Sequence, residues 1–191
     1  MKLILASASP RRRELLGLLG LNFEVLPPSE EGRPEGRPEE AARRLALEKA
    51  REVAARTGAA RPGSGLLVIG ADTVVALGEK ILGKPSGPEE AVNMLLRLRG
   101  RAHRVITGVA LVGEGKETVF SERTDVYLRW LEREEAEEYV ATGEPLDKAG
   151  AYAAQGLGAR FVLRVEGCFF NVVGLPLARL YTTLRREGYL L

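Results

Sequence analysis

The chain has 191 residues, enough for one domain that buries roughly 70% of its unfolded surface and folds without a disulfide or metal staple. Residues of the AVILMFWYC class make up 45% and charged residues 28%, the balance of a water-soluble globular protein. Lys plus Arg number 28 and Asp plus Glu 26, so a net charge of +2 argues against a surface that coats nucleic acid. The single cysteine, Cys168, excludes an intramolecular disulfide framework and a cysteine-rich zinc site, and it suits a reducing cytoplasm.

No apolar run reaches the roughly 18 residues that cross a bilayer. The apolar start, Leu3 to Ala6, gives way at once to Ser7–Arg13 with its three arginines, so neither an export signal nor a membrane anchor is expected.

Leu3-Ile4-Leu5-Ala6 reads as a short buried strand, and Ser9-Pro10 as an N-cap followed by proline at the first helical position. That helix is expected to run through Leu19 and stop at Gly20. Asn22 to Leu26 is a second strand, followed by a Pro-, Gly- and Glu-rich loop from Pro27 to Pro38. Glu39 to Arg56 has strong helical amphipathicity. The apolar run Leu66 to Leu77 reads as a buried strand, with a break or bulge expected near Gly70. Gly78 to Gly87 is turn-rich, and Pro88 opens a helix to about Leu98. His103 to Val112 and Thr118 to Arg129 read as strands of a hairpin turning at Gly113-Glu114-Gly115. Glu134 to Ala141 is a helix closed by Gly143, and Glu144 to Gly158 a polar loop. Two strands, Phe161 to Val165 and Cys168 to Val173, and a helix from Pro176 to about Arg186 complete the order. Strands and helices alternate with hairpins mixed in, which predicts one α/β domain with a mixed sheet over residues 1–191.

Several residues are not explained by packing alone. A helix N-terminus carries about half a positive charge, so Arg11, Arg12 and Arg13 oppose the helix they begin. Either they form a solvated basic turn capped by Ser9, or free N–H groups, the Ser7 and Ser9 hydroxyls and guanidinium forks together hold a phosphate. Asp72 is the only ionisable residue among the twelve from Leu66 to Leu77. A buried carboxylate must be paired, hydrogen-bonded or metal-bound, so Asp72 is either a hairpin-turn residue or a functional acid. Lys49 falls in the centre of the apolar stripe Ala42, Leu45, Ala46 and Val53. There it either snorkels to the edge or reaches into a site that wants a cation. Lys84 in the rigid Gly83-Lys84-Pro85 turn and Lys148 in Glu144–Gly150 are surface lysines or further phosphate ligands. No G-x-x-x-x-G-K-[ST], G-x-G-x-x-G or H-E-x-x-H motif is present. The lone His103 argues against a Ser-His-Asp triad, and Cys168, beside two phenylalanines, reads as core rather than nucleophile. Five cations (Arg11, Arg12, Lys49, Lys84, Lys148) against a few carboxylates point to a polyanionic substrate with a metal.

The segments Leu5-Ala6-Ser7-Ala8-Ser9-Pro10-Arg11-Arg12, Gly70-Ala71-Asp72-Thr73-Val74-Val75 and Glu144-Pro145-Leu146-Asp147-Lys148-Ala149-Gly150-Ala151-Tyr152 together resemble the Maf family of nucleoside triphosphate pyrophosphatases, also called septum formation inhibitors. Leu47-Glu48-Lys49-Ala50, Gly83-Lys84-Pro85 and Gln155-Gly156 extend the resemblance over nearly the whole chain. The resemblance implies an elongated mixed sheet with flanking helices, two lobes around a cleft, like inosine triphosphate pyrophosphatases. It implies hydrolysis of a nucleoside triphosphate to the monophosphate and pyrophosphate with a divalent cation, Mg²⁺ or Mn²⁺. By position, Asp72 resembles the proton acceptor, with Lys84 beside it in catalysis. Ser7, Arg12, Lys49 and Lys84 resemble the phosphate-binding set, to which the reading of the residues adds Lys148. Arg11, Thr73 and Gln155 match positions that separate members by base and resemble the dTTP/UTP branch. Glu31 is carried over beside Asp72 as a metal ligand. The family also implies a homodimer and a link to nucleotide-pool cleansing and cell-division arrest, while the near-neutral charge and the short apolar runs lead us to expect no nucleic-acid or membrane partner. The alternative is a nucleotide-sensing binder that regulates division without turnover.

Overall fold

The computed structural model describes residues 1–30 and 32–190. β1 (Lys2–Ala6) leads through Ser7–Ser9 into α1 (Pro10–Gly17). Ser9 is the N-cap, its hydroxyl accepting from the Arg12 N–H, with Pro10 in the first turn. The helix ends at Gly17, earlier than expected. The Leu18 N–H turns to the Leu15 carbonyl as the last turn tightens, and Gly20, at φ +68°, completes the reversal. β2 (Phe23–Val25) then pairs in parallel with β1.

α2 (Pro38–Thr57) buries Ala41, Ala42, Leu45, Ala46, Lys49, Ala50, Val53 and Ala54, the i, i+3, i+4 spacing of one face. β3 (Leu66–Leu77) runs unbroken, contrary to the expected bulge at Gly70. A Cβ on Gly70 would stand 2.3 Å from the Ala46 carbonyl oxygen, and one on Gly108 only 2.1 Å from that of Ala42. These glycines let the small-residue face of α2 lie directly on the sheet. They serve helix packing rather than strand breakage.

The turn-rich stretch after β3 contains a strand not expected from sequence, β4 (Lys80–Leu82), antiparallel to β3. α3 (Pro88–Leu98), the hairpin β5 (Ala102–Gly113) and β6 (Lys116–Leu128), and α4 (Arg133–Ala141) follow as expected. The polar loop is folded into short 3-10 turns, Glu144–Asp147, Ala149–Ala151 and Leu157–Phe161. β7 (Val162–Glu166) is the edge strand beside β6. The expected strand Cys168 to Val173 is instead a one-turn helix, α5 (Phe169–Val173), before α6 (Leu177–Arg186). Gly167, at φ +123°, turns the chain away from the sheet. Asn171 then inserts its amide against β5 and β6, a contact no local pattern announces. Cys168 is half-buried at the start of α5 and belongs to none of the core clusters, contrary to its reading as core.

The sheet order is β2-β1-β3-β5-β6-β7, with β4 also on β3. β2, β1 and β3 are parallel and the remaining pairs antiparallel, so the sheet is mixed, as expected. α2 covers one face through Ala46, Ala50 and Val53 against Ile4, Val68 and Ala110. α1, α5 and α6 cover the other, through Leu16, Val173 and Leu180 against Leu5, Leu67, Ile69 and Val109. α3, α4 and the 3-10 loop pack around Val75, Val105 and Val126 at the far end, forming a second lobe on the same long strands. Among the described residues, no helix is long and apolar enough to cross a membrane.

Candidate active site

One edge of β3 is paired with β5 from Val68 to Ala76. The opposite edge is shared: β1 takes Leu66–Gly70, and β4 takes Val75–Leu77. Between them, 71–74 have no strand partner on that side among the described residues. The gap lies at the carboxyl end of β1, where an open α/β sheet separates its neighbouring strands and admits a ligand. Asp72 and Thr73 occupy the gap, and β1 delivers Ser7 and α1 beside it.

Strand alternation sends these two side chains to opposite faces of the sheet. Asp72 shares the face of Gly70 and Val74, beneath α2. There the Lys49 ammonium donates to Asp72 Oδ1 at 2.6 Å. Their side chains are only 8% and 15% exposed, so the pair is held in low-dielectric surroundings that strengthen it. Lys49 therefore does not snorkel to the stripe's edge. Thr73 faces α1 and α5, where Arg12 Nη2 donates to its hydroxyl at 3.0 Å. Arg12 Nε donates to the Gly174 carbonyl at 3.0 Å, and Nη1 reaches the Ser7 hydroxyl at 3.5 Å. The Ser7 hydroxyl also accepts from the Ser9 N–H at 3.2 Å. The second residue of the arginine run is thus an organised part of a wall, not a solvated turn.

Both sets open into one cleft of about 620 Å³. Arg11, Arg12, Lys49, Lys84 and Lys148 line it against three described carboxylates, Glu30, Asp72 and Asp147. The excess of cations suits a polyanion. Lys84 and Lys148 reach the same space because the loops that carry them are joined. The Gly150 N–H donates to the Gly83 carbonyl at 3.1 Å, and Gly150 lies so close to Val75 that a Cβ would meet its Cγ1 at 2.8 Å. Lys148 pairs with the neighbouring Asp147. The polar loop is not merely solvated. Glu144 accepts from Tyr139 Oη at 2.7 Å and from the N–H groups of Leu157 and Gly158, stapling both ends of the loop together. Burial pushes the Glu144 carboxyl up, but these donors outweigh it and leave the group below its usual range.

Of the specificity residues expected from sequence, Arg11 and Thr73 line the cleft. Gln155 is exposed and does not line it, although its neighbour Ala154 does. Glu31 lies outside the described residues. Among the described residues, no group of three or more His, Cys, Asp or Glu side chains could hold a metal. Asp72 among cations fits a different arrangement, a divalent ion that takes one carboxylate from the protein and most of its oxygens from substrate phosphates and water.

Other parts of the wall were not foreseen. Tyr152 lines the cleft, and behind it His103, 2% exposed, places Nε2 at 2.7 Å from Tyr152 Oη. The Gly174 carbonyl is a backbone ligand that no sequence pattern could identify. Thr107 and Asn171, fully buried polar residues behind Thr73, carried one signal: a lone amide in an apolar run.

The family model described as Maf-like protein matches residues 2–187 of this chain. Among curated relatives, the dTTP/UTP pyrophosphatase of Carboxydothermus hydrogenoformans is 49% identical, over 99% of this chain and 100% of that one. Those of a Geobacillus species and of Thermococcus gammatolerans are each 48% identical. The first alignment covers 98% of this chain and 99% of the relative, and the second 98% and 97%.

Proposed function

The chain belongs to the Maf family, and from that premise we propose that it is a nucleoside triphosphate pyrophosphatase. It hydrolyses dTTP and UTP to the monophosphate and pyrophosphate. The observation that supports this reading best is the gap in the pairing of β3. It sets a carboxylate, Asp72, 2.6 Å from Lys49 in the same cleft as Arg12, Lys84 and Lys148.

Hydrolysis at the α-phosphorus needs a positioned water and neutralisation of the phosphate charge, and phosphoryl transfer depends mainly on these two. Arg12, braced by Gly174 and Thr73, presents its guanidinium to the phosphate chain together with the Ser7 hydroxyl and Lys148. Lys84, in its rigid turn, supplies a point charge where the leaving pyrophosphate develops its own. Lys49 orients the Asp72 carboxylate, and Asp72 orients the attacking water and accepts its proton. Asp72, with Glu31 as its proposed companion, would hold a divalent cation, Mg²⁺ or Mn²⁺. Such an ion polarises phosphate oxygens and offsets leaving-group charge. Arg11, Thr73 and Gln155 read the pyrimidine edge, Gln155 by turning in from the rim beside Ala154. A site built from such polar groups rejects a base that leaves them unpaired. The working assembly is a homodimer in the cytoplasm, where the enzyme removes nucleotides from the pool.

A panel of dTTP, UTP, dCTP, dATP and GTP, with products identified in Mg²⁺, Mn²⁺ and chelator, tests the reading. Monophosphate plus pyrophosphate from the first two, abolished by chelator, is the expected result. Diphosphate plus orthophosphate would make the protein a terminal phosphatase, and binding without product a sensor. Equal rates on purines would remove the base selectivity.

A further inference from the structure

A line of buried hydroxyls runs from the cleft wall into the sheet. Thr107 on β5 lies opposite Thr73, is fully buried and does not line the cleft. Its hydroxyl is 3.0 Å from the Asn171 carbonyl oxygen and 2.9 Å from the Thr73 hydroxyl. A carbonyl oxygen can only accept, so the one hydrogen of Thr107 goes to Asn171. The contact between the two threonines then has a single available donor, the Thr73 O–H. Arg12 Nη2 in turn donates to Thr73 Oγ1. The direction is thereby settled by counting hydrogens: Arg12 to Thr73, Thr73 to Thr107, Thr107 to Asn171.

The inner end of this line is rigid. Asn171 accepts from the Thr107 N–H at 3.1 Å through Oδ1, and its Nδ2 donates to the Val105 carbonyl and the Thr124 hydroxyl, each at 2.9 Å. Thr124 passes its own hydrogen to the Cys168 carbonyl at 3.0 Å. The start of α5 is therefore pinned to β5 and β6, and the same short segment ends in Gly174, whose carbonyl holds Arg12 Nε.

We propose that Thr107 and Asn171 are positioning residues that commit the Thr73 hydrogen inward, so that Thr73 offers the cleft a lone pair and no proton. An acceptor at this point matches the imide N3–H of thymine and uracil, which donates, and opposes the ring N3 of cytosine, which accepts. Through the bond from Arg12 Nη2, the same line aims a phosphate-facing guanidinium. This inference rests on the proposed dTTP/UTP pyrophosphatase activity and assigns to its base selectivity a buried origin away from the substrate.

Thr107→Ser and Thr107→Ala form the matched test, since both lose the buried methyl and only serine keeps the hydroxyl. Kinetics of pyrophosphate release are measured on dTTP and dCTP. Thr107→Ala is expected to raise KM for dTTP and to lower the dTTP-over-dCTP ratio of kcat/KM by about fivefold, the size of one neutral hydrogen bond. Thr107→Ser should restore both to within about twofold. A ratio unchanged in Thr107→Ala overturns the proposal and leaves Thr107 a packing residue. Thr107→Val keeps the side-chain shape and replaces alanine if that variant does not fold. A substrate-side measurement needs no variant at all. 3-Methyl-UTP lacks the imide hydrogen and should be cleaved about tenfold or more less efficiently than UTP, whereas equal efficiency refutes the assignment. Wild-type protein that releases no pyrophosphate from either nucleotide would instead overturn the activity itself.

Discussion

Acidification should destabilise this protein well above the pH at which its carboxylates begin to protonate, through His103 alone. Burial pushes the His103 imidazole down to about 4 from its ordinary 6.5, and the partial counter-pull of Asp125 does not restore it. Protonation would also place a hydrogen on both ring nitrogens. Nε2 meets Tyr152 Oη, but Nδ1 has no hydrogen-bond partner among the described residues. Between pH 6.5 and about 4 the unfolded chain therefore binds a proton that the folded chain does not, and stability falls as pH falls. At about 1.4 kcal/mol per pH unit, the whole interval carries on the order of 3 kcal/mol, and the step from pH 7 to 5 about 2 kcal/mol. For a chain of this length that step lowers Tm by about 4–8 °C. Carboxylates held low by hydrogen bonds, such as Glu114 under the N–H groups of Gly63 and Gly65, add their own loss mainly below about pH 4.5. Thermal melts of wild type and His103→Gln at pH 7 and 5 isolate the histidine, because glutamine fills the site and does not titrate. The variant should lose most of the pH dependence. An identical drop in both proteins would refute the argument.

The remaining predictions concern the cleft and the helix beneath it. Asp72→Asn keeps shape but cannot accept a proton from water, so kcat should fall by about 10²–10⁴, and Tm should fall as well because the buried Lys49 ammonium loses its counter-charge. Steady-state pyrophosphate release within threefold of wild type would end the role given to this residue. Lys49→Met removes the ammonium 2.6 Å from Asp72 and should cost about 2–5 kcal/mol in kcat/KM, read from the same assay. Gly108→Ala drives a methyl to 2.1 Å from the Ala42 carbonyl oxygen, which forces α2 away from β5. Urea unfolding should show a loss of about 1–3 kcal/mol, and Tm should drop with it.

Much of this architecture is legible in local pattern. The 3.6-residue spacing of alanines and Leu45 marks α2 and isolates Lys49 as a cation on an apolar face. The run from Leu66 to Leu77 marks β3 and isolates Asp72 as its only charge. Both anomalies led to the same cleft, because burying a charge demands a partner wherever the chain provides one. Other features depend on what packs against what. Six residues from Cys168 to Val173, five of them apolar, fit a strand or a helical turn equally well, and only the docking of Asn171 onto β5 and β6 selects the turn. A glycine inside a strand reads as a bulge until a helix backbone is found 2.3 Å from its missing Cβ.

Residue types and their periods thus determined most of the elements, though not β4 or α5, together with the two misplaced charges and the basic turn, since these depend on neighbours a few positions apart. Tertiary structure alone decided that β1 and β4 share one edge of β3 and leave 71–74 open between them. It also decided which way the Thr73 hydroxyl points. Strand partners and hydrogen-bond direction are set by groups far apart in sequence, and no local pattern encodes them.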